Sequence, residues 1–383
     1  RSNPMSDNRT NPSAFRVVLA AVFLFVFLIG ISTLSGGIKG LGKNSIDSFI
    51  TAASNPFLGL VTGILATTLA QSSSVTTSLI VAMVASGKLP FEIAIPMIMG
   101  ANIGTTVTNT IAALAQTGRR TEFRRAFAAA TCHDFFNYLV VVVLLPLEIA
   151  TGFLAKSSGY LNKLLPAIES SSNYKSPFKI VLKFFVSSIK SGISSFTEDK
   201  AIVSVVMIIA GIALIFGALT MIVRVMKSLV LSKAERVINK LLNRGATGGL
   251  FSIIVGIVLT ISVQSSSITT SLMVPLAGAG LVRIWQVFPV TVGANIGTTV
   301  TALIASLAVT GDNANVARQI ALVHLLFNLT GMAFFYIPKP TRKIPMYASQ
   351  QLARVASKSR RWALIYVLLA FYGVPALLVF VGR

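Results

Sequence analysis

Apolar positions along the chain gather into long runs with no Asp, Glu, Lys or Arg: residues 17–34, 57–87, 93–114, 201–223, 248–280, 287–309, 319–337 and 362–382. A helix satisfies its own backbone polar groups, and about 20 apolar residues of helix cross a hydrocarbon core about 30 Å thick. The pattern predicts an all-α integral membrane protein. Polar, amphipathic stretches at 39–55 and 227–244 and a Lys-rich segment at 156–200 separate the runs.

The runs are duplicated. Residues 71–108 read QSSSVTTSLIVAMVASGKLPFEIAIPMIMGANIGTTVT, and residues 264–301 read QSSSITTSLMVPLAGAGLVRIWQVFPVTVGANIGTTVT. The offset is 193 throughout, without a gap, and 20 of the 38 positions are identical. Downstream, His133-x-x-Phe136-Asn137 is echoed by His324-x-x-Phe327-Asn328. Many identical positions are Gln, Ser, Thr or Asn, whereas packing alone would preserve the apolar ones.

Each copy has an ordinary span, an amphipathic stretch, a run with QSSS near its middle, a span interrupted by Asn-Ile-Gly-Thr-Thr, and a His-x-x-Phe-Asn span. The QSSS run sets the expected architecture. Its first arm, 57–70, makes about 21 Å of helix at 1.5 Å per residue, too short to cross. The whole run is too long for one untilted span. A re-entrant hairpin with QSSS at its tip fits both lengths; the alternative is one long tilted helix with its hydroxyls packed on neighbours. Unwound backbone at that depth must line a cavity or be buried in protein. With hairpins that do not cross, each copy keeps three spanning helices, and an odd number inverts the second copy. Two inverted-topology repeats, each with one re-entrant hairpin, plus a C-terminal span are expected, with substrate at the repeat interface. The expected division is a tail at 1–13, repeat 1 at 14–150 with hairpin 57–87, an extracellular linker at 151–200, and repeat 2 at 201–338 with hairpin 248–280. A basic cytoplasmic loop at 339–361 and a span at 362–383 complete it. Arg1–Pro4 precede Met5 and read as an addition ahead of the native start. No cleavable signal is expected, because the first apolar run is long and no small-residue cleavage site follows it.

Composition agrees. The 383 residues are 54% hydrophobic and 11% charged, against about 25% charged in a soluble domain. A net charge of +22 would suggest nucleic acid in a soluble protein. Here Lys and Arg sit mainly in the connections. With the N-terminus inside, the cytoplasmic side receives 21 of the 33 basic residues, the orientation that the positive-inside rule favours. A multi-pass protein of the inner (plasma) membrane with a cytoplasmic N-terminus is expected. The one cysteine, Cys132, excludes a disulfide within the chain.

No metal-ligand cluster, phosphate loop or nucleophile–base pair is visible, so an enzyme reading is poor and no cofactor is expected. The duplicated polar set suits an anion bound with small cations, because hydroxyls and amides donate to anion oxygens and offer oxygens to hard cations. Gln71, Ser72, Ser73, Ser74, Asn102 and Thr105 in the first copy, and Gln264, Ser265, Ser266, Ser267, Asn295 and Thr298 in the second, are the substrate candidates. Helices restarting at Val75 and Ile268, with Thr105 and Thr298 as further candidate restarts, would aim free N–H groups and a favourable dipole at the anion. Sodium entering with the anion would supply the counter-charge that the motifs lack. Thr106, Thr110, Gln116, Asp134, Asn137, Thr299 and Asn328 are the sodium candidates. Asp134 is the one carboxylate deep in an apolar stretch, where a charge costs at least about 2.5–3.5 kcal/mol unless paired. The matching position in the second copy is Leu325. A cation fits Asp134 better than a structural pair with His133. His133 and His324 fit helix-packing hydrogen bonds better than proton relays.

The paired QSSS segments, the two NIGTT segments and Glu122-Phe123-Arg124-Arg125-Ala126-Phe127, followed by His133-Asp134-Phe135-Phe136-Asn137, resemble the type II sodium-phosphate cotransporter family, in a bacterial form. The resemblance covers the chain from about Phe15 to Phe380. It implies sodium-driven phosphate uptake by alternating access, phosphate at the QSSS tips, and a sodium site lined by Thr110, Gln116 and Asn137. It also implies electrogenic transport, from the acid at Asp134. Arg119 stands where the family's eukaryotic members carry an acid, and their disulfide-bonded extracellular loop and further C-terminal span have no counterpart here. Seven spans and an external C-terminus follow. The alternatives are a carrier of another oxyanion or a proton-driven one, then a channel or a membrane scaffold.

Overall fold

The computed structural model describes residues 12–41, 55–115, 119–166, 177–243, 249–309 and 313–381. Among them every regular element is helical. The first half contains α1 (Pro12–Gly40), α2 (Pro56–Ala70), α3 (Ser73–Ala85), α4 (Phe91–Thr105), α5 (Val107–Leu114) and α6 (Arg120–Thr151). The short α7 (Phe153–Leu164) and α8 (Pro177–Ser194) follow. The second half contains α9 (Lys200–Asn243), α10 (Gly249–Val263), α11 (Ser266–Gly278), α12 (Ile284–Leu307) and α13 (Ala314–Phe335). Then come α14 (Lys339–Ala356) and a last span made of α15 (Arg360–Leu368), a π-helical turn (Leu369–Gly373) and α16 (Val374–Val381).

Among the described residues six helical stretches are long and apolar enough to cross a membrane: Phe15–Gly40, Arg120–Thr151, Lys200–Met226, Ile284–Leu307, Ala314–Phe335 and Arg360–Phe380. The seventh expected span, 93–114, is instead divided into α4 and α5 at Thr106. The Ile103 carbonyl takes both the Thr106 amide, at 3.1 Å, and the Thr106 hydroxyl, at 2.9 Å. This tight turn interrupts the ladder. In the second half Thr299 makes the same hydroxyl bond to Ile296 at 2.7 Å, yet α12 runs on unbroken. A restart near Thr105 is thus present in one half, and none occurs at Thr298.

Both QSSS runs are broken helices. α2 ends on Gln71 at φ 55°, and Gln264, at φ 56°, takes the same place after α10. They are the only non-glycine residues with positive φ among those described. Helix resumes at Ser73 and Ser266, two residues before the expected Val75 and Ile268. Ser72 and Ser265 are the N-caps, each accepting a long 3.4 Å bond from the amide three residues on.

Glycine lets each first arm touch the following span. A Cβ on Gly63 would stand 2.1 Å from the Met97 carbonyl oxygen, and one on Gly100 2.0 Å from that of Leu60. The same contacts recur 193 residues later: Gly256 against Val290 at 2.1 Å and Gly293 against Ile253 at 2.0 Å. Without a strong hydrophobic drive between helices in lipid, such close backbone contact is a main source of association. The second arms cross over instead: α3 packs on α12 and α13, and α11 packs on α5 and α6. α1 lies along α9. The two halves therefore interlock at the centre, around a core that includes Ile80, Ile98, Phe136, Phe288 and Phe327.

Candidate functional site

The two breaks meet. Ser74 Oγ donates to the backbone carbonyl of Gln264 at 3.3 Å, 190 residues away. Ser73, Ser74, Ser266 and Ser267 are buried, while Gln71 is exposed and Gln264 half-buried. Two helix starts therefore converge, and the first amides of each have no intrahelical acceptor. The tips are not in the same state. Gln264 Oε1 accepts from Thr301 Oγ1 at 2.7 Å, and its Nε2 donates to the Ile261 carbonyl at 2.8 Å. In the first copy Thr108, the counterpart of Thr301, is buried with no partner, as are Thr67 and Thr68 beside Gln71. Buried hydroxyls without partners are rare, and these lie around one tip.

The duplicated asparagines and histidines form a reciprocal clip between the halves. Asn109 Nδ2 meets His133 Nδ1 at 3.2 Å, which leaves His133 Nε2 to donate to Asn295 Oδ1 at 2.7 Å. In the mirror pair His324 Nε2 lies 3.3 Å from Asn102 Oδ1, so it too donates. Asn295 Nδ2 donates to Asn137 Oδ1 at 2.8 Å, and Asn328 Nδ2 donates to Asn102 Oδ1 at 3.2 Å. Asn137 Nδ2 reaches the Asn102 carbonyl at 2.7 Å. Asn102 and Asn295, read as anion ligands, and Asn137, read as a sodium ligand, thus engage their side chains in the clip, whereas Asn328, also read as a sodium ligand, donates through Nδ2 and keeps a buried Oδ1 without a partner. Their duplication has a packing reason that residue type alone did not reveal. Thr105 and Thr298 donate to the carbonyls four residues back, at 2.8 and 3.0 Å, and retain their lone pairs.

Asp134 is fully buried on α6. Its Oδ2 accepts from Thr110 Oγ1 at 2.9 Å and from Tyr366 OH at 2.8 Å, while Oδ1 has no partner. His133 is occupied by the two asparagines, so no His133–Asp134 pair forms. Thr106 and Thr110, one turn apart on the Asp134 side of α5, keep hydroxyl lone pairs. An unpartnered carboxylate oxygen with hydroxyl oxygens near it is the donor chemistry of a small hard cation. Gln116, the remaining sodium candidate, lies outside the described residues.

Four contributors were not read from the sequence. Asn109 Oδ1 accepts from Thr270 Oγ1 and Ser271 Oγ, both at 2.9 Å, tying α5 to the second tip's helix. Its signal was an amide inside an apolar run. Tyr366, from the last span, holds Asp134, and Tyr138 OH donates to the Ala370 carbonyl in the π-helical turn. A phenol on an apolar helix gives no hint of which distant helix it will meet. Thr301 was visible as a duplicated threonine, but not as the partner of Gln264.

Residues 26–155 and 219–354, one segment in each half, match the Na+/Pi-cotransporter family model. The chain belongs to the Na+/Pi-cotransporter family. It is 36% identical to sodium-dependent phosphate transport protein 2A of Ovis aries, over 96% of this chain and 68% of that protein. It is 35% identical to sodium-dependent phosphate transport protein 2B of Bos taurus and 34% identical to that of Homo sapiens, in each case over 94% of this chain and 64% of the relative. The chain thus spans about two thirds of the length of these curated relatives. No solved structure matches it. Members of this Na+/Pi-cotransporter family are transporters, not enzymes.

Proposed function

We propose that this chain is a sodium-coupled importer of inorganic phosphate that works by alternating access. The observation that carries the reading is the meeting of the two broken helices, Ser74 Oγ on the Gln264 carbonyl. Free amides at two helix starts, with the hydroxyls of Ser72, Ser73, Ser74, Ser265, Ser266 and Ser267, provide donors for a phosphate that enters between the tips. Thr105, Thr298, Gln71 and Gln264 border them. Sodium is co-transported cargo. Its first site is Asp134 Oδ1 with Thr106 and Thr110, and because Leu325 stands at the matching position, only one half binds this ion. A carboxylate that binds sodium in one half only makes the cycle electrogenic.

The architecture that supports such a cycle is two inverted repeats, 14–150 and 201–338, with re-entrant hairpins at 57–87 and 248–280. The extracellular linker at 151–200 and the basic cytoplasmic loop at 339–361 flank them, and the N-terminus is cytoplasmic in the inner membrane. The crossing-over of α3 and α11 supports this, since each tip helix is gripped by the other half. In proteoliposomes, radiolabelled phosphate should accumulate with an inward sodium gradient and not with potassium in its place. Equal uptake driven by potassium, or by a proton gradient alone, would overturn the reading.

A further inference from the structure

We propose a second anion site, for a phosphate-bearing anion, in the arginine-lined cavity between the start of α6, the turn from α11 to α12, and α14. The cavity has a volume of about 530 Å3 and is lined by Arg124, Arg125, Arg283 and Arg354, together with Trp285 and Gln350. A second hollow of about 380 Å3 shares Arg124 and Arg354 and adds Arg120 and Lys358. Neither is lined by an acid. Among the described residues none of these four arginines forms an ion pair with a carboxylate. Four guanidiniums facing one hollow repel one another until an anion enters. Their planar forks match the oxygens of phosphate two at a time, which the point charge of lysine does not.

The hollow is shaped for the charge. Gly280 has φ 78°, and a Cβ there would stand 2.5 Å from Arg125 Nη1, so the glycine turn leaves room for the guanidinium. The Arg283 guanidinium lies 4.9 Å from the centre of the Trp285 ring. A general excess of basic residues on one membrane face explains their number but not their convergence. The other half is the internal control. There Gly87 faces Asn313, whose Nδ2 is bonded to the Ala85 carbonyl at 3.2 Å. The positions that match Arg124 and Arg125 by the offset of the His motifs are Asn315 and Val316. The position that matches Arg283 is Pro90, and although the same turn carries Lys88 and Glu92, the fold does not require these arginines. From Ser266 to Gly278 α11 has 13 residues, about 20 Å of helix, so this site is separate from the paired tips and does not rest on their reading.

Two sources could supply the anion: a soluble phosphate or pyrophosphate, or the phosphomonoester headgroup of a lipid. α14, which contributes Gln350 and Arg354 to the cavity, also exposes Ile344, Tyr347 and Val355, which makes a lipid source physically accessible. Trp285 and Trp362 are the only tryptophans, so Trp362→Phe leaves Trp285 as a reporter inside the cavity. The full chain carrying this change would be placed in phosphatidylcholine nanodiscs without sodium and titrated with phosphate and with pyrophosphate. A parallel set of nanodiscs would contain increasing phosphatidic acid. A saturable change in Trp285 emission in either arm supports the site, and the responding arm identifies the source. The apparent affinity should fall at least tenfold in Arg124→Gln/Arg354→Gln. Arg124→Lys/Arg354→Lys keeps the charge without the fork and should lose most of the same affinity. Thermal melting of each variant checks that it remains folded. No saturable response in either arm, a response that chloride reproduces at equal ionic strength, or full affinity in a folded glutamine variant would overturn the proposal.

Discussion

Gln71 and Gln264 hold a left-handed backbone that costs a non-glycine residue roughly 1–3 kcal/mol, a strain that proteins keep mainly at functional sites. Backbone and side-chain roles can be separated. Glycine adopts this conformation without penalty, so Gln71→Gly and Gln264→Gly should fold at least as well as wild type, whereas the alanine variants keep the strain. Uptake should be abolished in all four if the amides contact phosphate. Normal uptake in a glycine variant would remove that glutamine from the site. At Asp134, Oδ2 is held by Thr110 and Tyr366, and Oδ1, the proposed sodium ligand, has no partner. Asp134→Gly should lower the charge moved per phosphate, read by pairing voltage measurements with tracer uptake in one preparation. An unchanged ratio in an active variant would return Asp134 to a packing role. A hydrogen bond to a charged group is worth about 1.5–3 kcal/mol. Tyr366→Phe, which retains the ring that packs on Phe127 and Phe135, should therefore raise the half-saturating sodium concentration about tenfold or more. The phosphate dependence at saturating sodium should not move. A parallel loss of phosphate affinity would mean general loosening rather than positioning of the carboxylate.

Among the elements, the pairing of each first arm with the following span depends on backbone contact. Gly100 touches the Leu60 carbonyl and Gly293 that of Ile253, so Gly100→Leu and Gly293→Leu should prevent a monodisperse folded species in fluorescence-detected size exclusion. Gly217 on α9 has nothing within 4 Å of an added Cβ, so Gly217→Ala should fold normally and gain up to about 1 kcal/mol from helix propensity. The arms themselves were legible, because run length and the QSSS punctuation bounded them. Thr106 shows what was not legible: Thr105-Thr106 and Thr298-Thr299 are identical in sequence, yet only the first pair ends a helix. Local sequence cannot say which copy breaks, since the flanking helices that tolerate a broken ladder come from elsewhere in the chain.

For the molecule as a whole, the proposed inverted arrangement predicts that equivalent turns face opposite sides. Lys88 and Leu281 are 193 apart, the first half-buried and the second exposed, and Cys132, the one native cysteine, is buried. In a Cys132→Ala background, Lys88→Cys and Leu281→Cys should react with a membrane-impermeant maleimide from opposite faces of oriented vesicles. Labelling of both from one face would contradict inversion.

By itself the sequence determined the helical membrane class, the duplication, the lengths of the arms, and the serines and glutamines at the breaks. These follow from periodicity, run length and residue chemistry, which are local and survive translation along the chain. The tertiary structure decided who meets whom: Ser74 with Gln264, His133 with Asn295, His324 with Asn102, and Asp134 with Tyr366. Those partners lie 162 to 232 residues apart. A polar side chain in an apolar helix announces that it must have a partner, but the cost of leaving it alone is the same whichever partner arrives. Only the packing of the two halves selects it, and that selection joins Asn102, Asn137, Asn295 and Asn328 to one another and to the two histidines across the halves.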